Sequence, residues 1–366
     1  MDARRIAQRF PLVARPRPAC LPLTERVEEI SALAETAVQD GGLSLAATAL
    51  NKSALIVSDC GLPGLARDLC WRHAEIYLRA QPLGAQEARY ALEPLVNLAR
   101  LDVRDGDGEG AYRLLDALNR TLRHRTDTVI GDRSLSFRFL TATEEDHRTA
   151  CQWLWTVLLG DGTRALVAAN QWDRARAHVE QHKGVGRRLL DGRQVEIIAR
   201  CLGKDGESAR RLLDESTLSE AWEHPVAACL AGMCHMGDGG PPDDAIEKMA
   251  AEYLNLSATA DLAVFRTRVG LTVLDLSSPP TRAGVARRLV DDALHSGDGY
   301  VARDVLAHSV CYDEMTGGEQ RRLGEAVASA GLGRGSLEAE LKRSLLEAVE
   351  VSARAVERHL GARHRP

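Results

Sequence analysis

Apolar residues recur along most of this chain at intervals of three and four, the signature of amphipathic helices. In LTERVEEISALAETAVQ, Val27, Ile30, Leu33 and Ala34 share one face, with Thr24 as the expected N-cap and Gly41-Gly42 as the stop. Further helices are predicted over Leu43–Asp59, Pro63–Arg79, Ala85–Arg104, Gly108–Arg125 and Glu144–Ala169. In the C-terminal third they are expected near Leu218–Met236, Asp243–Leu256, Ala260–Asp275, Arg282–Ser296 and Gly299–Val310, then over Thr316–Ala330 and Ser336–Gly361. GDGGPP at Gly237–Pro242 and SSPP at Ser277–Pro280 punctuate them. A short basic helix at the start leads into PLVARPRPACLP. There Pro16, Pro18 and Pro22 forbid a helix interior, so a linker, or an arm lying along the first helices, is expected.

One phrase occurs five times: a turn with Gly or Asp, then Ala, then an aliphatic pair. It reads GLPGLARDL at Gly61–Leu69, DGDGEGAYRLL at Asp105–Leu115 and NQWDRARAHV at Asn170–Val179. It reads KDGESARRLL at Lys204–Leu213 and SGDGYVARDVL at Ser296–Leu306. The first two copies align at an offset of about 45 residues, pairing Asn51 with Asn97, Ala54 with Ala99, Gly61 with Gly106 and Ala66 with Ala111. From Ala175 to Ala209 the spacing is 34. A small residue followed by a large one lets paired helices approach closely, and repetition implies stacked pairs.

The regularity breaks at TDTVIGDRSLSFRFLTAT, where β-branched and aromatic residues alternate around Gly131-Asp132, as in a small hairpin or ordered loop. The expected organisation is therefore an arm (1–22), N-terminal helical repeats (23–125), an irregular insertion (126–143), and C-terminal repeats ending in a charge-rich capping helix (144–366).

Composition supports an all-α class. Apolar residues make up 45% of the 366 positions and aromatics only 4%, so Leu, Val and Ala must build the core. Only five of the 47 basic residues are lysines, which fits a GC-rich bacterial genome, and the net charge of −5 argues against a general nucleic-acid binder. MDARRIAQRF has no signal-peptide core and no run is long enough to span a bilayer. The expectation is a cytoplasmic chain whose eight cysteines are reduced and buried.

These units resemble the tetratricopeptide repeat (TPR) and its superhelical relatives. The resemblance rests on Ala54 and Ala99 in first helices and on Ala66, Ala111, Ala175, Ala209 and Ala302 early in second helices. Each second-helix Ala is followed four residues on by Cys70, Leu115, Val179, Leu213 or Leu306. It covers about half the chain. Val57 and Asp102 stand where the family has a Tyr, and the Pro closing its unit is absent. The resemblance implies a right-handed α-α superhelix whose first helices hold a peptide or partner protein. The chain would then be a non-catalytic accessory or regulatory scaffold in a bacterial pathway. On that reading Asn51 and Asn97 clamp a peptide backbone through their amides, and Lys52, Arg100 and Arg104 add charge toward an acidic ligand.

Candidate chemistry is thinner. His178 and His182 lie four apart, as zinc pairs on a helix do, but Glu180 lies off their face and a helix end also favours histidine. Glu144 and His147 have di-iron spacing without a second Glu-x-x-His. Cys229, Cys234 and His235 lack a second ligand pair, and Asp243-Asp244 with Glu247, or Asp291-Asp292, read as ordinary helix chemistry. No cofactor is expected: there is no phosphate loop, GVGRR lacks the strand–helix context of a dinucleotide site, and no nucleophile motif appears. A metal-dependent enzyme built on the His or Glu-His groups is the first alternative. The second is RNA or anion binding through Arg120, Arg123, Arg125, Arg133 and Arg138 with His124. No helix-turn-helix reader is evident, and no membrane contact is expected.

Overall fold

The computed structural model describes residues 2, 5, 8–236 and 240–362. Most of the expected basic helix at the start, and part of the GDGGPP punctuator, lie outside them. Among the described residues the chain is predominantly helical, with one two-stranded sheet. It divides into two compact units, each assembled from two stretches of sequence. One unit holds Pro22–Ala165 with the segment from Gly331 onward. The other holds Leu166–Ala330 with the segment up to Leu21.

The first unit begins with α1 (Leu23–Asp40), α2 (Leu43–Asp59), α3 (Pro63–Leu78), α4 (Ala85–Arg104) and α5 (Gly108–His124). The cap of α1 is Pro22, in an extended conformation, and Thr24 already lies in the first turn. The fixed φ of proline pre-sets the helix entry, and its missing N–H costs nothing there. Gly41 stops α1 in the left-handed conformation, as expected.

The recurring phrase now has a physical basis. Each of its five turns carries one residue with positive φ: Gly61, Gly106, Asn170, Lys204 and Gly297. Each is followed by an Ala that is essentially inaccessible: Ala66, Ala111, Ala175, Ala209 and Ala302. The left-handed residue reverses the chain, and the absent side-chain bulk at Ala lets the next helix pack closely.

The irregular insertion forms a hairpin, β1 (Asp127–Ile130) and β2 (Arg133–Ser136), turning at Gly131 with φ +63°. Ile130, Leu135, Phe137 and Leu140 are buried in the core of this unit. The backbone of Leu83 bonds Leu140 and Ala142, pinning the insertion to the α3–α4 connection. The segment is therefore a core element rather than a cover over a helical face. Then α6 (Glu144–Val157) passes through a π-helical turn, Leu158–Gly162, into α7 (Thr163–Ala168).

The last helix, α18 (Ala339–Ala362), packs against α1, α2 and α3. Its buried stripe, Leu345, Ala348, Val349, Ser352, Ala353, Val356 and Leu360, joins their core. The charge-rich helix thus completes the α1–α3 layer. The loop before it is fastened at the end of α2: Gly333 N–H donates to Asp59 O (2.8 Å) and Gly335 N–H to Cys60 O (2.7 Å). Gly331, Gly333 and Gly335 all have φ near +70°. A Cβ on Gly331 would stand 3.0 Å from Leu23 Cδ2 and 3.3 Å from Cys60 Sγ. Nearby, Asp59 is enclosed and accepts from Arg26 (2.6 Å) and Arg104 (3.0 Å).

The second unit contains α8 (Trp172–Gln181), α9 (Asp191–Leu202), α10 (Gly206–Asp214), α11 (Glu223–His235) and α12 (Asp243–Leu254), followed by α13 (Ala263–Leu276), α14 (Pro279–Ser296), α15 (Gly299–Leu306), α16 (Ser309–Glu314) and α17 (Gly317–Ser329). Several boundaries differ from the periodicity: the helix expected over Gly299–Val310 ends at Leu306, with Ser309–Glu314 forming its own short helix, and the one expected from Ala260 becomes α-helical only at Ala263. Helix α14 starts at Pro279, because two prolines fit a first helical turn. Helix α11 starts at Glu223 instead of Leu218: the buried Glu223 carboxylate accepts from the Ser219 and Glu220 N–H groups and holds 218–222 as a turn.

Candidate functional site

In the first unit the two asparagines paired by repeat alignment meet. Asn97 Nδ2 on α4 donates to Asn51 Oδ1 on α2 (3.1 Å), and Asn51 Nδ2 donates to Glu93 (3.0 Å). Arg100 donates to Asn97 Oδ1 (3.0 Å) and to Asp161 in the π-helical turn (2.8 Å). Lys52 pairs with Glu29 of α1, and Arg104 bonds Ser58 (2.6 Å) as well as Asp59. Polar contacts therefore run from α2 through α4 to the π-helical turn, a helical irregularity of the kind found at functional positions, with a separate Lys52–Glu29 pair between α2 and α1. Both amides are half-buried, and each has one N–H outside the bonds above. Arg89 lies over the Trp153 ring at 5.6 Å on the same side of α4, and Leu55 is exposed.

The second unit shows a feature that sequence reasoning missed. The arm, 10–21, has no regular secondary structure and lies along helices of this unit rather than, as the sequence suggested, along the first helices of the chain. Gln194, fully buried on α9, grips its backbone at both polar groups of one residue. Leu12 N–H donates to Gln194 Oε1 (2.8 Å), while Gln194 Nε2 donates to Leu12 O (2.7 Å) and Leu189 O (2.7 Å). One helical turn earlier Asp191 receives both guanidinium nitrogens of Arg15 (3.2 and 2.5 Å). Further along, Arg17 N–H donates to Asp261 O (2.9 Å), Arg17 lies over the Tyr300 ring (5.3 Å), and Gly299 N–H donates to Cys20 O (2.9 Å). Phe10 and Leu12 supply the apolar anchors, each under 5% exposed. The signal available in the sequence was the arm itself: an extended buried strand must find partners for its backbone, and a Gln inside the apolar stretch of α9 can supply them.

Other candidate groups are committed locally. Arg120 pairs with Asp116 (3.0 Å), Arg125 with Glu144 (2.7 Å) and Arg138 with Asp127 (2.9 Å). Arg133 pairs with Glu75 and lies 4.9 Å over the Trp71 ring. Arg123 and His124 are exposed, so the cluster presents less unpaired charge than its spelling implies. The His178 and His182 ring centroids lie 4.6 Å apart with the planes tilted by 51°, and His178 is buried. His147 Nε2 meets Cys151 Sγ at 3.5 Å, and its pKa is lowered by burial and by Arg125. His235 bonds Ala231 O, Asp291 bonds Arg287, and Asp292 is shared by Arg266 and Arg288. Among the described residues no three His, Cys, Asp or Glu side chains form a metal-holding group, and no helix is long and apolar enough to cross a membrane. A recess of about 840 Å³ beside α18, lined by Val38, Val351, Arg354, Glu357 and Arg358, holds no nucleophile.

No protein-family model matches this chain, and neither a curated protein nor a solved structure does.

Proposed function

We propose that the chain is a non-catalytic helical-repeat protein of TPR-like superhelical build that holds extended segments of partner proteins. In this role it serves as an accessory or regulatory scaffold in a bacterial cytoplasm. The observation carrying this reading is the grip of Gln194 on Leu12, in which a side-chain amide on one helix satisfies the N–H and C=O of an extended strand. Such a grip is independent of the strand's side chains, and flanking contacts such as Asp191–Arg15 supply specificity. Asn51 and Asn97 offer the same chemistry in the first unit, where each half-buried amide has one N–H outside the bonds described above. Lys52, Arg100 and Arg104 surround them and favour an acidic segment, with Glu29, Glu93 and Asp161 released from their present partners when it binds.

The test is an array of short immobilised peptides graded from acidic to basic. The wild-type chain is expected to retain acidic peptides. N51A/N97A and R100E/R104E variants with unchanged circular dichroism should bind them at least about tenfold more weakly, about 1.4 kcal/mol. Equal retention by the folded variants overturns the assignment of this face.

A further inference from the structure

Two thiols in the second unit lie in contact. Cys201 is on the last turn of α9 and Cys234 on the last turn of α11, 33 residues apart in sequence, with their sulfurs separated by 3.4 Å. Helices α9 and α11 pack on each other and on α10 between them, so the pair joins corresponding ends of neighbouring helices. Cys201 is half-buried and Cys234 is 3% exposed, which leaves solvent access from the Cys201 side. Arg210, on α10, places Nη1 3.4 Å from the Cys234 carbonyl oxygen.

We propose that Cys201 and Cys234 are a reversible oxidation site, closing to an intramolecular disulfide when a hydroperoxide reaches them. The separation is about 1.4 Å longer than an S–S bond, a gap closed by small side-chain rotations. The contact with Cys201 and the Arg210 guanidinium lower the Cys234 pKa against the opposing effect of burial. The Cys234 thiolate attacks one peroxide oxygen, the O–O bond breaks, and the departing oxygen takes up a proton, leaving a Cys234 sulfenic acid. Cys201 sulfur then attacks Cys234 sulfur; the S–S bond forms, the S–O bond breaks, and the thiol proton leaves with hydroxide as water. The thiol pair loses two electrons and the peroxide gains them. The product ties α9 to α11 around α10.

Full-length protein is treated with hydrogen peroxide, denatured, alkylated and mapped by mass spectrometry. Two of the eight thiols are expected to disappear together, in one linked Cys201–Cys234 peptide pair, and to return on addition of dithiothreitol. In Cys201→Ser, Cys234 has no partner and is expected to run on to the sulfinic acid. Full alkylation of both cysteines after peroxide, or linkage of either to a different cysteine, overturns the proposal. The wild-type mapping decides the matter by itself if the serine variant does not fold.

Discussion

The side-chain amide of Gln194 and the backbone of Leu12 close a two-point hydrogen-bonded pair across 182 residues of sequence. Removing that amide strands both backbone groups of Leu12 and takes a donor from Leu189 O as well. Gln194→Ala is therefore expected to destabilise the second unit by about 2–5 kcal/mol, since each buried unsatisfied group costs about 1–3 kcal/mol. Gln194→Glu, of equal size, should also destabilise it, because an oxygen then faces Leu12 O and Leu189 O. Denaturant midpoints measure both, and hydrogen exchange at the Leu12 amide should quicken. An unchanged midpoint for Gln194→Ala would show that the arm is not held there.

In the first unit, Asp59 offers a second measurable contact. Asp59→Ala removes the carboxylate that Arg26, 8% exposed, and Arg104 both donate to, breaking the enclosed Arg26–Asp59 pair on one side. A loss of about 3–5 kcal/mol is expected from breaking such a pair on one side. Asp59→Ala combined with Arg26→Met should recover part of that loss, as the charge no longer needs a partner. Urea unfolding of the single and double variants checks the pair.

His73 on α3 lends the same unit a distinctive pH response. The ring is 1% exposed, its Nε2 has no hydrogen-bond partner, and burial lowers its pKa to about 3. In the unfolded chain it takes a proton near pH 6.5. A depressed folded value means that the stabilising contribution is whole above pH 6.5 and falls away as the pH drops from there toward 3. Between pH 7 and 5 this single group should remove about 2 kcal/mol of stability. His73→Leu is expected to show a smaller stability difference between those two pH values, and an unchanged difference would refute the assignment.

How much of this was readable beforehand depends on sequence distance. The five-fold phrase marked the position of each turn and its buried Ala, because both requirements act within one helix–turn–helix unit, but not the left-handed residue, which is Asn170 in one copy and Lys204 in another. Aligning two copies also brought Asn51 opposite Asn97, since neighbouring repeats stack in register. Gln194–Leu12 and Cys201–Cys234 were not legible in the same way. One needs the path of an arm whose prolines exclude helix but name no destination. The other needs the relative rotation of α9 and α11, which hydrophobic periodicity leaves open. The arginines at 120–138 misled for a related reason: a run of cations shows its charge, whereas Asp116, Glu144, Glu75 and Asp127 reach them from elsewhere in the fold. The docking of α18 on α1 escaped as well, because an amphipathic stripe declares that it must be covered but not by what.

That last helix carries a consequence for the order of events in the living cell. Helices α1–α3 leave the ribosome long before α18 exists, so their shared core faces water or a chaperone until α18 emerges. Domains that fold vectorially avoid such a wait. Here the Gly331–Gly335 loop, by delivering α18 to the end of α2, acts as the closing stitch, and a chain stopped short of it should be recognised by quality control as incomplete.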